Sequence, residues 1–338
     1  MDCKTVVIFG GTGFVGMHMV RAFLSEGVEC VIAADLEPFP DHFLYEDLAQ
    51  ARDDGRLRHV ECDVRHPIEV GDIGARDVDL IVNLAAVHRA VGPAVADYFK
   101  TNVDGAENVC DYAATVGCST VVFTSSVAVY GADERARDEG SVPAPTTPYG
   151  SSKVAAEKVH EGWQKSGTGR RLVTVRPGVL FGPGSQANVT RLARAVNSGL
   201  FCYVGNRRTV KAGGYVKELC SSVLWAFDNM EDSHLLYNFT FDPPPTVEDY
   251  VGAIASALGE EGDFWSVPYP LVLAGSAVLS ALSACVGRTS SIRPSRVRKI
   301  ASSNNVRASY LTRHGYPFSY TLESAMAEWR EESPGDWE

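Results

Sequence analysis

The 338-residue chain predicts an α/β fold, a doubly wound parallel sheet joined to a smaller α/β lobe. Three observations carry that reading. Short apolar runs alternate with amphipathic stretches through the first 180 residues. The first run, Val6-Val7-Ile8-Phe9, breaks into the glycine-rich turn Gly10-Gly11-Thr12-Gly13-Phe14-Val15-Gly16. Beyond Arg176-Pro177 the alternation stops, and proline clusters separate shorter elements.

In order, the apolar runs place strands at Thr5–Phe9, Glu29–Ala34, Arg58–Cys62, Leu80–Asn83, Thr120–Thr124 and Leu172–Arg176. Residues 14–25, 103–115 and 149–165 carry helical patterns between them. The expected division is a sheet-bearing domain over 1–176 and a second lobe over 177–330. The segment near Tyr237–Thr240 is a candidate further strand; in that case about 213–245 return to the first domain and the lobes interleave.

Composition limits the partners. A formal net charge of −11 argues against a general nucleic-acid binder, which shows a basic face. The eight cysteines are scattered with no CxxC pair, so reduced thiols, a cytoplasmic setting and no metal site are expected. Met1-Asp2-Cys3-Lys4 leads straight into the first strand, without a signal-peptide pattern. The stretch Leu271–Gly287 has no charge but is seventeen residues long, short of the roughly 20 that span a bilayer. A buried or interfacial helix is the expectation there.

Gly10, Gly13 and Gly16 stand between a strand and a helix as GxxGxxG, where a helix N-terminus faces an anion. A plain strand–helix turn is the blander reading. The spacing favours a Rossmann-type dinucleotide cradle. Asp35 ends the second strand nineteen residues after Gly16, where a carboxylate accepts from a ribose 2′-hydroxyl and repels a 2′-phosphate. No arginine adjoins it, so NAD is expected over NADP. Asp63-Val64 suits the adenine edge or, alternatively, a helix N-cap at Asp63. Leu84, Ala85 and Ala86 follow the fourth strand as small residues beside the cofactor.

Tyr149 and Lys153 lie one helical turn apart, twenty-three residues after Ser126 at a strand end. Tyrosine ionises near pH 10, and a lysine ammonium on the same face favours the phenolate. Tyr149 then serves as a base toward a hydroxyl, with Ser126 bonding the developing carbonyl. Pro148 suits the helix's first turn. An exposed helix with an incidental pair is the competing reading.

GGTGFVG, NLAA, TSSVAVYG, YGSSK and RPGVLFGP together resemble the extended short-chain dehydrogenase/reductase family, of the NAD-dependent epimerase/dehydratase type, over nearly the whole chain. The resemblance implies a Ser126, Tyr149, Lys153 triad. It also implies cofactor contacts from Phe14, Val15, Thr124 and Pro177, support from Asn102, and a homodimer built on a helix pair. Relatives that eliminate or decarboxylate carry carboxylates where this chain has Val127 and Ala128. Neither side chain carries a proton, which leaves epimerisation or net oxidation and reduction.

Ala85–Arg89, Asn188-Val189, Pro268–Leu271, Ser295–Lys299 and Tyr320–Leu322 resemble one subgroup, the 4-epimerases of N-acetylglucosamine linked through diphosphate to undecaprenol. UDP-hexose 4-epimerases share parts of these stretches. The family's arginine-aspartate appears here as Lys211-Ala212, a departure that bears on UDP contacts. Substrate contacts are therefore expected from His88, Arg89, Ser126, Asn188, Lys211 and Arg296, with His88 alternatively structural. Arg288, Arg293, Arg296, Arg298 and Lys299 follow the uncharged stretch. That pairing suits an anionic lipid surface or, alternatively, a core helix before a diphosphate-binding loop. The function implied is a sugar 4-epimerase of surface polysaccharide synthesis. The competitors are an NAD(P)-dependent dehydrogenase of a sugar or 3β-hydroxysteroid-like substrate, and a non-catalytic NAD-binding scaffold.

Overall fold

The computed structural model describes residues 3–41, 43–46, 48–88, 92–260, 264–285 and 294–338. Seven strands form one parallel sheet: β1 Thr5–Phe9, β2 Cys30–Asp35, β3 Leu57–Glu61, β4 Leu80–Asn83, β5 Thr120–Thr124, β6 Arg171–Pro177 and β7 His234–Phe239. Their order is β7-β6-β5-β4-β1-β2-β3, which reverses direction between β1 and β4. In open α/β sheets ligands bind at that reversal, beyond the carboxyl ends of the strands.

The inner strands β1, β2, β4 and β5 are largely apolar because both faces are covered, whereas the edge strand β3 exposes Arg58, His59 and Glu61. Val6 and Ile8 of β1 point to one face, where they join Met19 and Phe23 of α1 (Phe14–Ser25) and Leu219 and Val223 of the later helix 216–229. Val7 and Phe9 point to the other, against Ala106, Val109 and Tyr112 of α2 (Gly105–Thr115) and Ala156 and Trp163 of α3 (Pro148–Lys165). Period-2 alternation thus feeds two separate cores from one strand.

Boundaries depart from expectation by a residue or so, as β2, β3 and β6 show. The helix expected over 103–115 is a different case. It begins as a π-helical turn, Lys100–Asp104, before α2 proper. The strand anticipated near Tyr237–Thr240 is the end of β7, which pairs in parallel with β6 from His234↔Leu172 to Phe239↔Pro177.

A third core lies beyond β6. It gathers Val189, Ala193 and Val196 of α4 (Asn188–Asn197), Tyr250, Val251 and Ile254 of α6 (Val247–Leu258), and Met326 and Trp329 of α9 (Leu322–Glu332). Between these come α5 (Val216–Asn229), α7 (Tyr269–Cys285) and α8 (Pro294–Ala301). The uncharged stretch falls on α7 as far as Cys285, its last two residues lying outside the described ones, and no described helix is long and apolar enough to cross a membrane. Cys110, Cys118 and Cys220 are buried free thiols.

Candidate active site

The glycine turn sits at the carboxyl end of β1. Gly16 packs so tightly that a Cβ there would collide with the Gly10 carbonyl oxygen. Gly13 is the N-cap of α1 and carries no side chain to cap it. The first-turn amides of a twelve-residue helix are thereby presented to the turn, the arrangement that receives a pyrophosphate. Phe14 and Val15 are the first helical residues.

Asp35 closes β2 beside this turn. Its Oδ2 accepts from the Thr12 amide at 3.1 Å and its Oδ1 from the Leu36 amide at 2.8 Å. Two amides lock the carboxylate in place, and each oxygen retains a lone pair for a ribose hydroxyl. The residues present fit a dinucleotide.

The loop after β4 is held from three sides. The Leu84 amide donates to the Phe9 carbonyl at 2.8 Å, and the Ala85 amide to Asn83 Oδ1 at 3.2 Å. Asn102 brackets Val87, with Oδ1 accepting its amide at 2.8 Å and Nδ2 donating to its carbonyl at 3.1 Å. Nδ2 also donates to Ser152 Oγ at 2.9 Å, tying the loop that carries Ala85, Ala86 and His88 to α3. Asn102 therefore supports the site by fixing a loop, from a π-helical turn of the kind often found at functional sites.

Ser126 follows β5 and is the N-cap of a 3₁₀ turn, Val127–Tyr130, with Oγ accepting from the Ala128 amide at 3.2 Å. Its side chain also bonds Tyr149, which pulls the phenol's pKa down. Burial acts more strongly and pushes that pKa above the usual value. Lys153 is 2% exposed, its Nζ donating to the Thr124 carbonyl at 2.9 Å and lying 4.9 Å from the Phe123 ring centroid. Burial brings its pKa down to about 8, opposed by Glu157. Thr124 Oγ1, at the same strand end, is buried and without a partner among the described residues. Pro177 ends β6 in the adjoining position of the sheet.

Sequence reasoning missed the buried polar residues behind the triad. Ser125 Oγ donates to Glu157 Oε1 at 2.5 Å. Arg176 reaches Glu157 with two bonds of 2.8 and 2.7 Å and the Tyr130 hydroxyl with a third of 2.7 Å. Asn83 Nδ2 donates to His160 Nε2 at 3.3 Å, while His160 Nδ1 faces the Ala156 carbonyl at 2.8 Å. The signal was present: Lys153, Glu157 and His160 repeat at helical spacing on the face of α3 that meets the sheet.

Two of the expected contact residues, Asp63 and Lys211, have protein partners in the structure. The Asp63 carboxylate is taken by Arg65, whose Nε and a terminal nitrogen bind it at 2.8 and 2.5 Å. It is not a helix N-cap either, since Glu69 caps the next helix. Val64 packs into the core against α2, its carbonyl accepting from Asn108 at 2.8 Å. Lys211 turns toward α8. Its Nζ donates to the carbonyls of Lys299 at 3.1 Å and Ser302 at 2.5 Å, because the last carbonyls of α8 lack helical partners and attract a cation.

Asn188 stands exposed at the first position of α4, a helix with no side-chain cap. His88 is exposed at the end of the described loop; Arg89, Arg288 and Arg293 lie outside the described residues, as does the Arg296 side chain. Among the described residues no group of His, Cys, Asp and Glu is arranged to hold a metal.

The model of the NAD dependent epimerase/dehydratase family matches residues 6–238. The chain is similar to the N-acetyl-alpha-D-glucosaminyl-diphospho-ditrans,octacis-undecaprenol 4-epimerase of Escherichia coli O157:H7, at 28% identity over 95% of this chain and 92% of that protein. It is also similar to a 3beta-hydroxysteroid-dehydrogenase/decarboxylase of Arabidopsis thaliana, at 25% identity over 87% and 71% respectively. In fold it matches the crystal structure of UDP-glucuronic acid 4-epimerase from Bacillus cereus in complex with NAD, with TM-score 0.76 and 15% identity over 99% and 100% of the two chains. The match spans well over half of the chain, including the glycine turn, the Ser126 strand end and α3: the chain belongs to the NAD-dependent epimerase/dehydratase family.

Proposed function

We propose that the protein is an NAD-dependent sugar 4-epimerase acting on a hexose joined through a diphosphate to its carrier. One observation carries the reading. Ser126, Tyr149 and Lys153 converge at one strand end, while the 3₁₀ turn beside them begins with the apolar side chains of Val127 and Ala128. The site therefore has a base for a hydroxyl and no carboxylate in that turn for elimination at a neighbouring carbon.

Tyr149 takes the proton from the C4 hydroxyl and later returns it, so the same oxygen serves both half-reactions. The Ser126 hydroxyl holds the C4 oxygen while it is a carbonyl. The Lys153 ammonium stabilises the phenolate from a position closed to water. NAD, when bound, supplies the acceptor that oxidises C4 and the donor that reduces it again on the opposite face. The N-terminus of α4, with Asn188 exposed at its first position, is the proposed seat of the diphosphate.

The proposed substrate lobe, 177–330, also favours a lipid-linked carrier and a place in surface polysaccharide synthesis. Trp265 is 70% exposed, Leu271 65% and Leu200 83%, on adjoining segments joined by the bond from the Tyr203 amide to the Trp265 carbonyl. Arg207 is fixed beside them through Ser266 Oγ at 3.2 Å, and α7 packs on α8, whose last turn carries Arg298 and Lys299. An apolar surface flanked by cations suits peripheral contact with an anionic bilayer. The similarity to the undecaprenol-linked epimerase of Escherichia coli O157:H7 supports the same carrier.

The test supplies UDP-GlcNAc and GlcNAc-diphospho-undecaprenol separately, without added NAD, and reads C4 configuration. The expected result is inversion with the cofactor retained, stronger for the lipid-linked sugar, and none in a Tyr149→Phe variant of unchanged melting temperature. Stoichiometric NADH release without inversion would instead establish the dehydrogenase.

A further inference from the structure

Lys153 is surrounded almost wholly by uncharged atoms, yet its role requires the ammonium form. Its donors find one described acceptor, the Thr124 carbonyl, and an aromatic face, Phe123. One turn along α3 stands Glu157, 4% exposed and held by three strong bonds, two from Arg176 and one from Ser125. Arg176 is 5% exposed and spends its remaining described bond on Tyr130, the last residue of the turn that Ser126 caps.

A buried ion pair of this kind is poor evidence for stability, since replacing both partners by apolar groups is often neutral. Its position is the informative part. Ser125, which precedes Ser126, and Tyr130, which ends the 3₁₀ turn after it, are both tied to the pair.

We propose that Glu157 is a positioning residue for the hydride-transfer site: its fixed carboxylate keeps the buried Lys153 ammonium charged, and the Glu157–Arg176 pair holds Ser126 in register with Tyr149. The proposal rests on the Tyr149–Lys153 chemistry put forward above.

The other charged or titratable groups facing this region favour the neutral lysine or stand apart. His160, further along α3, is held neutral by burial with its pKa down to about 4, Lys153 contributing in the same sense. Arg176 on β6 repels the ammonium and is offset by Glu157 itself. Tyr149 and Tyr130 are pushed toward the neutral phenol by burial. His234 on β7, 3.1 Å from Thr174 Oγ1, has its pKa lowered by burial, with Glu161 and then Glu157 opposing. Glu157 is therefore the one group described as raising the Lys153 pKa, against burial that lowers it. The sign follows: activity that needs the ammonium is full below about pH 8 and is lost as pH rises through it.

The experiment compares the NAD-loaded wild type with Glu157→Gln, which keeps the shape and removes the charge. The first readout is the ¹³Cε resonance of Lys153, assigned with Lys153→Arg and followed against pH. It needs no substrate, so it stands apart from the epimerase reading. The expected midpoint in Glu157→Gln is lower by about one pH unit, the scale of a close charge in a desolvated site. The second readout is the alkaline limb of kcat, expected to move down with the resonance while KM changes less than twofold. Should Glu157→Gln not fold, Glu157→Gln with Arg176→Met removes both charges of the pair, and its midpoint is expected to fall in the same direction by a smaller amount. A resonance midpoint that matches wild type in the folded variant overturns the proposal; so does an alkaline limb that stays in place.

Discussion

At Asp35 the carboxylate is fixed by the Thr12 and Leu36 amides before any ligand arrives. Removing it costs both the anchoring of the glycine turn and the acceptor for a ribose hydroxyl. Hydrogen bonds to charged groups contribute about 1.5–3 kcal/mol, so Asp35→Ala is expected to weaken NAD binding roughly 10- to 100-fold. The loss of a negative charge should also narrow the preference for NAD over NADP. Titration of both cofactors into stripped protein checks this, and unchanged discrimination would remove Asp35 from the ribose site. The placements of Asp35, Tyr149 and Lys153 were legible because each sits at a fixed distance from a strand end or helix turn. Asp63 and Lys211 have partners that local spacing leaves out, for a shared reason. A charged side chain takes whichever partner the fold brings close, Arg65 two residues away or the α8 carbonyls some 90 residues away.

Helix α3 carries most of the proposed chemistry, and its start is written locally. Thr147 caps it through the Gly150 amide at 3.1 Å, and Pro148 occupies its first turn. What the local pattern leaves out is how closely α3 approaches the Ser126 turn. A Cβ on Gly150 would collide with the Ala128 carbonyl oxygen and meet Pro145 Cβ at 3.1 Å. Gly150→Ala should therefore displace the turn that presents Tyr149 toward Ser126. Overpacking of this kind costs about 1–3 kcal/mol, and ångström-scale misplacement of a catalytic group lowers kcat ~100-fold. A kcat within twofold of wild type would show that the approach is not critical. The turn at Lys100–Asp104 is the opposite case. Apolar periodicity near 3.6 reads as an ordinary helix, and a wider turn is set by what Asn102 must reach, Val87 and Ser152.

For the whole molecule, the chain leaves the sheet after β6 and returns to it as β7, with α5 packing against α1. His18 of α1 bonds the Pro183 carbonyl at 2.9 Å, and Asp336 accepts from the Gly184 amide at 2.8 Å, so the region after β6 is anchored to both chain halves. Trp265 and Leu271 stand exposed in the chain that follows β6. Trp265→Glu combined with Leu271→Glu is expected to abolish co-sedimentation with vesicles containing anionic lipid. Charge reversal of Arg298 and Lys299 should weaken it by ~1 kcal/mol for each cation removed. Sedimentation unaffected by all four changes would exclude this surface as a membrane contact.

The sequence by itself determined the parallel sheet, the glycine turn and the Tyr149–Lys153 spacing, because these depend on local periodicity and on turns that only certain residues can make. The tertiary structure alone decided which charges meet. It joined Glu157 to Arg176 and Ser125, and turned Lys211 to α8. The physical reason is that a buried charge must find its partner in space, and chain separation places no limit on where that partner lies.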